Sequence, residues 1–192
     1  MKSVARPTYR VMDVDLVIRA QRGDLASYTL IAGEIGDRFL ATARRILRDV
    51  GLAEDATQQA LLAVWQDLPG LRDPARFEAW SYRLLVRACH AEGWRERRAI
   101  ANLRLIPMAA PVVQDETGLV ADRELLERAF ERLSLEHRTV VVLHYYADLP
   151  LDRIAEICGI PHGTAQSRLF YAMRALRAWV ESDQRVPSRE VV

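Results

Sequence analysis

Apolar residues recur at three- and four-residue intervals along most of this chain, and no long run alternates apolar with polar. That period predicts helices throughout and no sheet. A first helix is expected over 13–22, with Asp13 as its cap and Gly23-Asp24 as its stop. A second, longer helix should follow to about residue 48, with an interruption at Gly33–Gly36. A turn at Gly51 leads to a third helix over 54–68, and the loop Pro69-Gly70-Leu71-Arg72-Asp73-Pro74 separates it from a fourth over 76–98. From 99 to 122 the period decays around Pro107 and Pro111, so this stretch reads as a linker. A second helical block covers 123–133, 135–146 and the pair of helices beyond them, and the tail over 183–192 is expected to be disordered. Thr139-Val140-Val141-Val142-Leu143 has strand propensity, but its neighbours favour a buried helix. The expected architecture is all-α, with an N-terminal helical bundle over 10–98 and a smaller domain over 123–182 joined by the linker.

The last helical pair has a specific shape. Leu151–Leu176 reads as a short amphipathic helix, a Gly-Ile-Pro punctuation, then a longer helix opening with small polar residues. Ile154, Ala155 and Cys158 share one side of the first helix, and Gly159 suits the left-handed residue that reverses the chain. Ala165, Leu169, Ala172, Met173, Leu176 and Val180 form the apolar stripe of the second. Its other side carries Thr164, Gln166, Ser167, Arg168, Tyr171, Arg174 and Arg177, and no acidic residue falls between His162 and Val180. A helix-turn-helix with such a face can lie against a polyanion. Two helices joined at a glycine are also common in plain bundles, where an arginine-rich face is only solvated.

The fourth helix carries a second signal. Phe77, Trp80, Leu84, Ala88 and Ala91 form a stripe expected to bury. Beside it, Arg83, Arg87, His90, Trp94 and Arg97 recur at offsets of 4, 3, 4 and 3 residues. At helical pitch they span a band of about 80°, with Glu92 and Glu96 expected on the other side. Basic residues with an interleaved aromatic suit a phosphate backbone and unstacked bases; the plainer reading is a solvated face on which Trp94 shields the core. The third helix is apolar on two faces: Ala56, Ala60, Ala63 and Val64 on one, Leu62 and Trp65 on the other beside Asp55 and Gln58. Such a helix is sandwiched in a bundle or offers one face to a partner protein.

Composition narrows the classes. The formal net charge is +1, so DNA contact must come from local patches rather than a generally basic surface. Of 27 basic residues only Lys2 is a lysine, a bias that partly reflects a GC-rich coding sequence. Cys89 and Cys158 stand alone, and His90, His137, His144 and His162 lack ligand spacing, so neither a disulfide nor a metal is expected. There is no nucleophile-base set, no fixed carboxylate pair and no glycine-rich phosphate loop, which argues against an enzyme and against a cofactor. The N-terminus lacks an apolar signal region and no apolar run approaches membrane-spanning length, so a cytoplasmic protein is expected.

Together these segments resemble a bacterial RNA polymerase sigma factor of the extracytoplasmic-function (ECF) group. Ala53-Glu54-Asp55-Ala56-Thr57-Gln58-Gln59-Ala60-Leu61-Leu62-Ala63-Val64-Trp65 is similar to that family's acidic helix, A-E-D-L-V-Q-E-x-F-x-x-x-W. Phe77-x-x-Trp80-x-x-x-Leu84 matches the start of its promoter-melting helix, and Gly163-Thr164-x-x-Ser167-Arg168-Leu169 its G-T-V-x-S-R-L recognition helix. The resemblance implies that Asp55, Gln58, Gln59 and Leu62 meet core polymerase. It implies that the Pro69–Arg76 loop, with Arg72 and Arg76, captures a flipped base of the −10 element. Trp80, Arg83, Arg87, His90, Trp94 and Arg97 would lie along the same DNA. His162, Thr164, Gln166, Ser167, Arg168 and Tyr171 would face the −35 element, with Arg174 and Arg177 on its backbone. Gln59 stands where the family usually has glutamate, Ala56-Thr57 replace Leu-Val, and Ala165 replaces Val.

The resulting expectation is a non-enzymatic initiation factor, monomeric when free, whose partners are core RNA polymerase and promoter DNA. Two exposed domain faces joined by a linker would also suit an anti-sigma factor. A free-standing helix-turn-helix regulator is the alternative, for which the basic-aromatic stripe is surplus. An all-helical adaptor without a DNA role is the third reading, and it predicts indifference to charge reversal at Arg83, Arg87, Arg168 and Arg174.

Overall fold

The computed structural model describes residues 12–103 and 127–183, and every regular element among them is helical. The linker core, the N-terminal end and the tail, on which some of the expectations above fall, lie outside the described residues. Seven α-helices are used below: α1 (Val14–Gln21), α2 (Leu25–Leu47), α3 (Val50–Asp67), α4 (Phe77–Leu103), α5 (Leu135–Tyr145), α6 (Leu151–Cys158) and α7 (His162–Asp183). Residues 127–131 are also helical and precede α5.

Short polar side chains start most of these helices. The carboxylates of Asp13, Asp24 and Asp49 accept from backbone N–H groups in the first turns of α1, α2 and α3, and Ser134 Oγ accepts from His137 N at 3.2 Å. The Asp49 cap moves the start of α3 four residues ahead of the expected position, so Gly51 lies in the first turn rather than in a loop. The interruption expected at Gly33–Gly36 is absent. Ile31, Ile35, Phe39, Ala43 and Ile46 are fully buried along one stripe of α2. Burying each large side chain contributes about 1.5–3 kcal/mol, which outweighs the ~1 kcal/mol that a helical glycine costs.

α1 to α4 pack as one bundle, with α3 between α2 and α4. α5 to α7 form the second block, and the two blocks share a core. Leu135, Val140, Val142, Leu143, Ile154 and Ile157 belong to the same buried cluster as Ile31, Phe39 and Leu85. Val141, on the other side of α5, joins Ala172 and Leu176 of α7 in a smaller cluster. This explains the apolar run Thr139–Leu143: a helix buried between two layers needs apolar residues all round, and packing overrides strand propensity. Gly93 marks the closest approach. A Cβ placed there would sit 2.9 Å from Leu135 Cδ2 and 3.4 Å from Leu47 Cδ2, so a larger residue would require the Leu135 side chain to shift.

Candidate polymerase and nucleic-acid interfaces

α3 buries Ala53, Ala56, Thr57, Ala60 and Val64, and turns Asp55, Gln58 and Leu62 to solvent, Leu62 being 54 % exposed. The second apolar face is therefore split. Trp65 is partly covered by Tyr28 of α2, ring centroids 4.5 Å apart, while Leu62 stays open. Gln59 lies at the edge of the open face, but its carboxamide turns inward and donates to Glu92 Oε1. Glu92, expected on a solvated side of α4, is instead 2 % exposed and also accepts from Arg95 Nη1 at 2.8 and 3.0 Å. The departure at position 59 has a local cause: a glutamate there would face a buried carboxylate.

The loop before α4 is pinned at both ends. Gln21 Nε2, from α1, donates to the carbonyls of Leu68 (3.1 Å) and Leu71 (2.7 Å), and the Asp73 carboxylate accepts from Ala75 N at 3.0 Å. Short 3-10 turns at Leu68–Gly70 and Pro74–Arg76 complete it, and Arg72 and Arg76 project from its exposed side. Nothing in the sequence pattern singled out Gln21, whose role depends on α1 lying beside a loop some fifty residues later.

α4 buries more than half of its circumference because it serves both blocks. Phe77, Leu84, Leu85, Ala88 and Cys89 are buried as part of that wider arc. Ala91, assigned to the buried stripe, is exposed at its margin, and Trp80 is half-buried with its ring 5.9 Å from Phe77. Of the stripe Arg83, Arg87, His90, Trp94 and Arg97, the remaining open arc holds Arg87, Trp94 and Arg97. Arg87 and Arg97 are exposed, Trp94 is 52 % exposed, and His90, Ala91, Trp94, Arg95 and Arg98 line a shallow open cleft. Arg83 and His90 are half-buried against the second block. Arg83 Nη2 donates to Glu156 O at 2.7 Å, and His90 Nε2 lies 3.1 Å from Thr139 Oγ1. Burial pushes the His90 imidazole below its usual range, with Arg168 and Arg97 acting the same way and Glu136 opposing them.

In the second block α6 ends at Gly159, whose φ of +66° makes the left-handed reversal that the sequence required. Ala165, Ala172 and Leu176 of α7 are buried. Gln166, Ser167, Tyr171, Arg174 and Arg177 face solvent, and Thr164 and Arg168 lie half-buried on the flank. Ser167 Oγ donates back to Thr164 O at 3.0 Å, and His162 Nε2 stands 3.3 Å from Asp152 Oδ1. Phe170, which the sequence pattern did not single out, is 62 % exposed between Ser167 and Arg174. The signal that could have found it was angular: it falls on the outer arc of α7, opposite Ala165 and Leu176. A helix offering hydroxyls, an amide, arginines and an aromatic ring on one open face has the groups needed for base edges and phosphates.

Other chemistry is not assembled here. Among the described residues no group of three His, Cys, Asp or Glu side chains could hold a metal, and no helix is long and apolar enough to cross a membrane. Burial pushes the thiols of Cys89 and Cys158 up to about 12 and about 11, which leaves both poor nucleophiles.

Comparison with known proteins places the chain in a family. Residues 33–99 match the Sigma-70 region 2 family and residues 123–176 match Sigma-70, region 4. The chain is 35 % identical over 138 residues to the ECF RNA polymerase sigma factor SigL of Mycobacterium tuberculosis, covering 70 % of this chain and 78 % of that protein. It is 31 % identical over 157 residues to the RNA polymerase sigma-E factor of Streptomyces avermitilis, covering 80 % and 87 %. The fold is similar to CnrH solved with the cytosolic domain of CnrY, at a TM-score of 0.65 and 20 % identity over 89 % of this chain and 98 % of that one. It is also similar to the sigma factor RpoE of Bartonella quintana solved with the anti-sigma factor NepR, at 0.63 and 18 % over 83 % and 99 %. A match to region 2 as well as region 4 disfavours a free-standing helix-turn-helix regulator. The chain belongs to the ECF group of RNA polymerase sigma factors, non-enzymatic initiation factors that direct polymerase to promoters.

Proposed function

We propose that the three open faces divide promoter recognition as follows. Asp55, Gln58 and Leu62 of α3 contact core polymerase, with Gln59 at the margin. The pinned loop carrying Arg72 and Arg76 accepts an unstacked base of the −10 element. Arg83, Arg87, Trp94 and Arg97 follow the adjoining strand, by phosphate neutralisation and by stacking. The outer face of α7 enters the major groove at the −35 element, where Gln166, Ser167, Arg168 and Tyr171 read base edges and Arg174 and Arg177 hold phosphates.

The observation that carries this reading is the position of the open arc of α4. It is basic, holds an exposed tryptophan, and lies in the region 2 match, while the acid-free face of α7 lies in the region 4 match. Neither face alone makes a strong site in a chain of net charge +1. Polymerase docking holds both near one promoter, so two weak contributions combine at high effective concentration. The protein acts in the cytoplasm, is monomeric when free, and takes an anti-sigma factor as a further partner, as the RpoE neighbour does with NepR. The test is run-off transcription with purified core polymerase and a library of genomic fragments. Specific transcripts that depend on this protein are expected; absence of transcripts together with failure to comigrate with core enzyme would refute the reading.

A further inference from the structure

The loop proposed to accept the unstacked −10 base is held differently at its two shoulders. The downstream shoulder holds itself: Asp73 accepts from Ala75 N at 3.0 Å through its carboxylate and from Arg76 N at 3.0 Å through its carbonyl. The upstream shoulder depends on another helix. Gln21, the last residue of α1, donates from Nε2 to Leu68 O at 3.1 Å and to Leu71 O at 2.7 Å. Leu68 O also accepts from Leu71 N at 3.1 Å, so the turn is closed by its own backbone but oriented from α1. α1 is itself fixed. Leu16, Val17 and Ala20 are buried in the same cluster as Leu68 and Phe77, and Arg19 Nε donates to Ser27 Oγ at 3.2 Å across the reversal at Gly23.

We propose that Gln21 is a positioning residue for base capture: from α1 it sets the Leu71–Arg72 peptide, and so decides where Arg72 stands when the base arrives. The chemistry of the amide supports this. One side-chain atom can donate to two carbonyls only if it carries two hydrogens; a carboxamide nitrogen does, whereas a hydroxyl or a carboxylate does not. A trans peptide is planar, so holding Leu71 O toward α1 turns the Arg72 N–H the opposite way and fixes the Cα from which the Arg72 side chain departs. Arg72 stands exposed between the two shoulders, while Gln21 is half-buried with its amide engaged by the loop, so its effect on DNA passes through Arg72. Extruding a base is costly, and a loop already shaped for it captures the base more readily than one that must order on its arrival.

This role rests on the reading of the Pro69–Arg76 loop as the base-capture site, and its test separates the two. Holoenzyme is assembled on a promoter recovered by run-off transcription, with 2-aminopurine placed in turn at each −10 position of the non-template strand. Gln21→Leu keeps apolar bulk but has no donor, and Gln21→Lys restores donors for both carbonyls. Losing two such hydrogen bonds lowers the ratio of held to released loop by about fivefold to thirtyfold. Gln21→Leu should therefore slow open-complex formation at least about fivefold. It should also weaken the unstacking signal and the preference among bases at the captured position, and leave discrimination at the −35 element unchanged. Gln21→Lys should recover most of the rate. A native rate in Gln21→Leu, an equal loss of preference at every promoter position, or equal defects in Gln21→Leu and Gln21→Lys overturns the positioning role. Arg72→Ala combined with Arg76→Ala reports on the underlying reading. If that double variant opens promoters normally with its base preference intact, the loop is not the capture site and Gln21 has nothing to position. If it fails while Gln21→Leu behaves as the native protein, the reading stands and the positioning role falls.

Discussion

Replacing Gln59 by glutamate, the residue usual in this family, should destabilise this particular chain. Glu92 is 2 % exposed and accepts hydrogen bonds from Gln59 and Arg95. Gln59→Glu removes the amide donor. A hydrogen bond to a charged group contributes about 1.5–3 kcal/mol, and that interaction is lost. It also introduces a second carboxylate. Two unit charges at ~4 Å repel by about 4 kcal/mol at an effective dielectric of about 20, but residue 59 is exposed and the new side chain can swing into water, shedding most of that repulsion. The net cost is about 2–3 kcal/mol. At roughly 2–4 °C per kcal/mol for a chain of this size, the melting temperature should fall by about 4–12 °C.

The assay is a double-mutant cycle on thermal or urea unfolding with Gln59→Glu, Glu92→Gln and the pair together. The double variant exchanges amide and carboxylate and restores a donor-acceptor match, so the coupling energy should exceed about 1 kcal/mol in the restoring direction. A melting temperature within ~1 °C of the native protein for Gln59→Glu, or additive effects in the cycle, would show that Glu92 does not select the amide. The cycle also bears on the polymerase face. Because the carboxamide turns toward Glu92, Gln59→Ala should weaken binding to core polymerase less than Asp55→Ala does.

Burial holds the His90 imidazole neutral, so its contribution to stability is present above its unfolded pKa of about 6.5 and is lost as pH falls. Between about pH 7.5 and about pH 5.5 the native protein should lose stability more steeply than His90→Gln, whose amide can still reach Thr139; equal slopes would remove His90 from the pH response. Trp80→Ala should cost about 3 kcal/mol in unfolding free energy, the low end for an aromatic truncation because the ring is only half-buried against Phe77. An unchanged melting temperature would move Trp80 from the core to the DNA face. Phe170→Ala should weaken −35 duplex binding by about 1 kcal/mol where a thymine methyl faces the ring, and equal loss on thymine-free sites would exclude methyl contact.

The helices, several of their caps and the basic stripes on α4 and α7 were legible in the sequence because each depends on residues within a few turns of one another. Asp13, Ser134 and Gly159 act on their own helix ends, and the stripe from Arg83 to Arg97 is a matter of pitch. The start of α3 was misplaced for a local reason, the Asp49 cap, while the remaining errors arise from packing between elements far apart in sequence. Gly33 and Gly36 do not break α2, because buried isoleucines on that helix outweigh their cost. Glu92 looked solvated because its hydrogen-bonding partner is 33 residues away on α3. Gln21 and Glu156 carried no local signal at all, since one reaches a loop and the other a helix of the opposite block.

That last pair shows why periodicity could suggest two domains joined by a linker without indicating their contact. Amphipathic pattern reports how much of a helix is buried, not which partner buries it. The run Thr139–Leu143 of α5 is buried on every side, which is more than a small helical block packed on itself needs. The excess is accounted for only when Val140, Val142 and Leu143 meet the first block while Val141 meets α7. α4 carries the complementary anomaly: a buried arc wider than its own bundle needs, interrupted by a glycine where Leu135 fits. Two helices from separate blocks, each with more apolar surface than its own block can cover, are therefore the sequence trace of an interdomain contact. In this chain that contact lies directly beside the arginines proposed to hold promoter DNA.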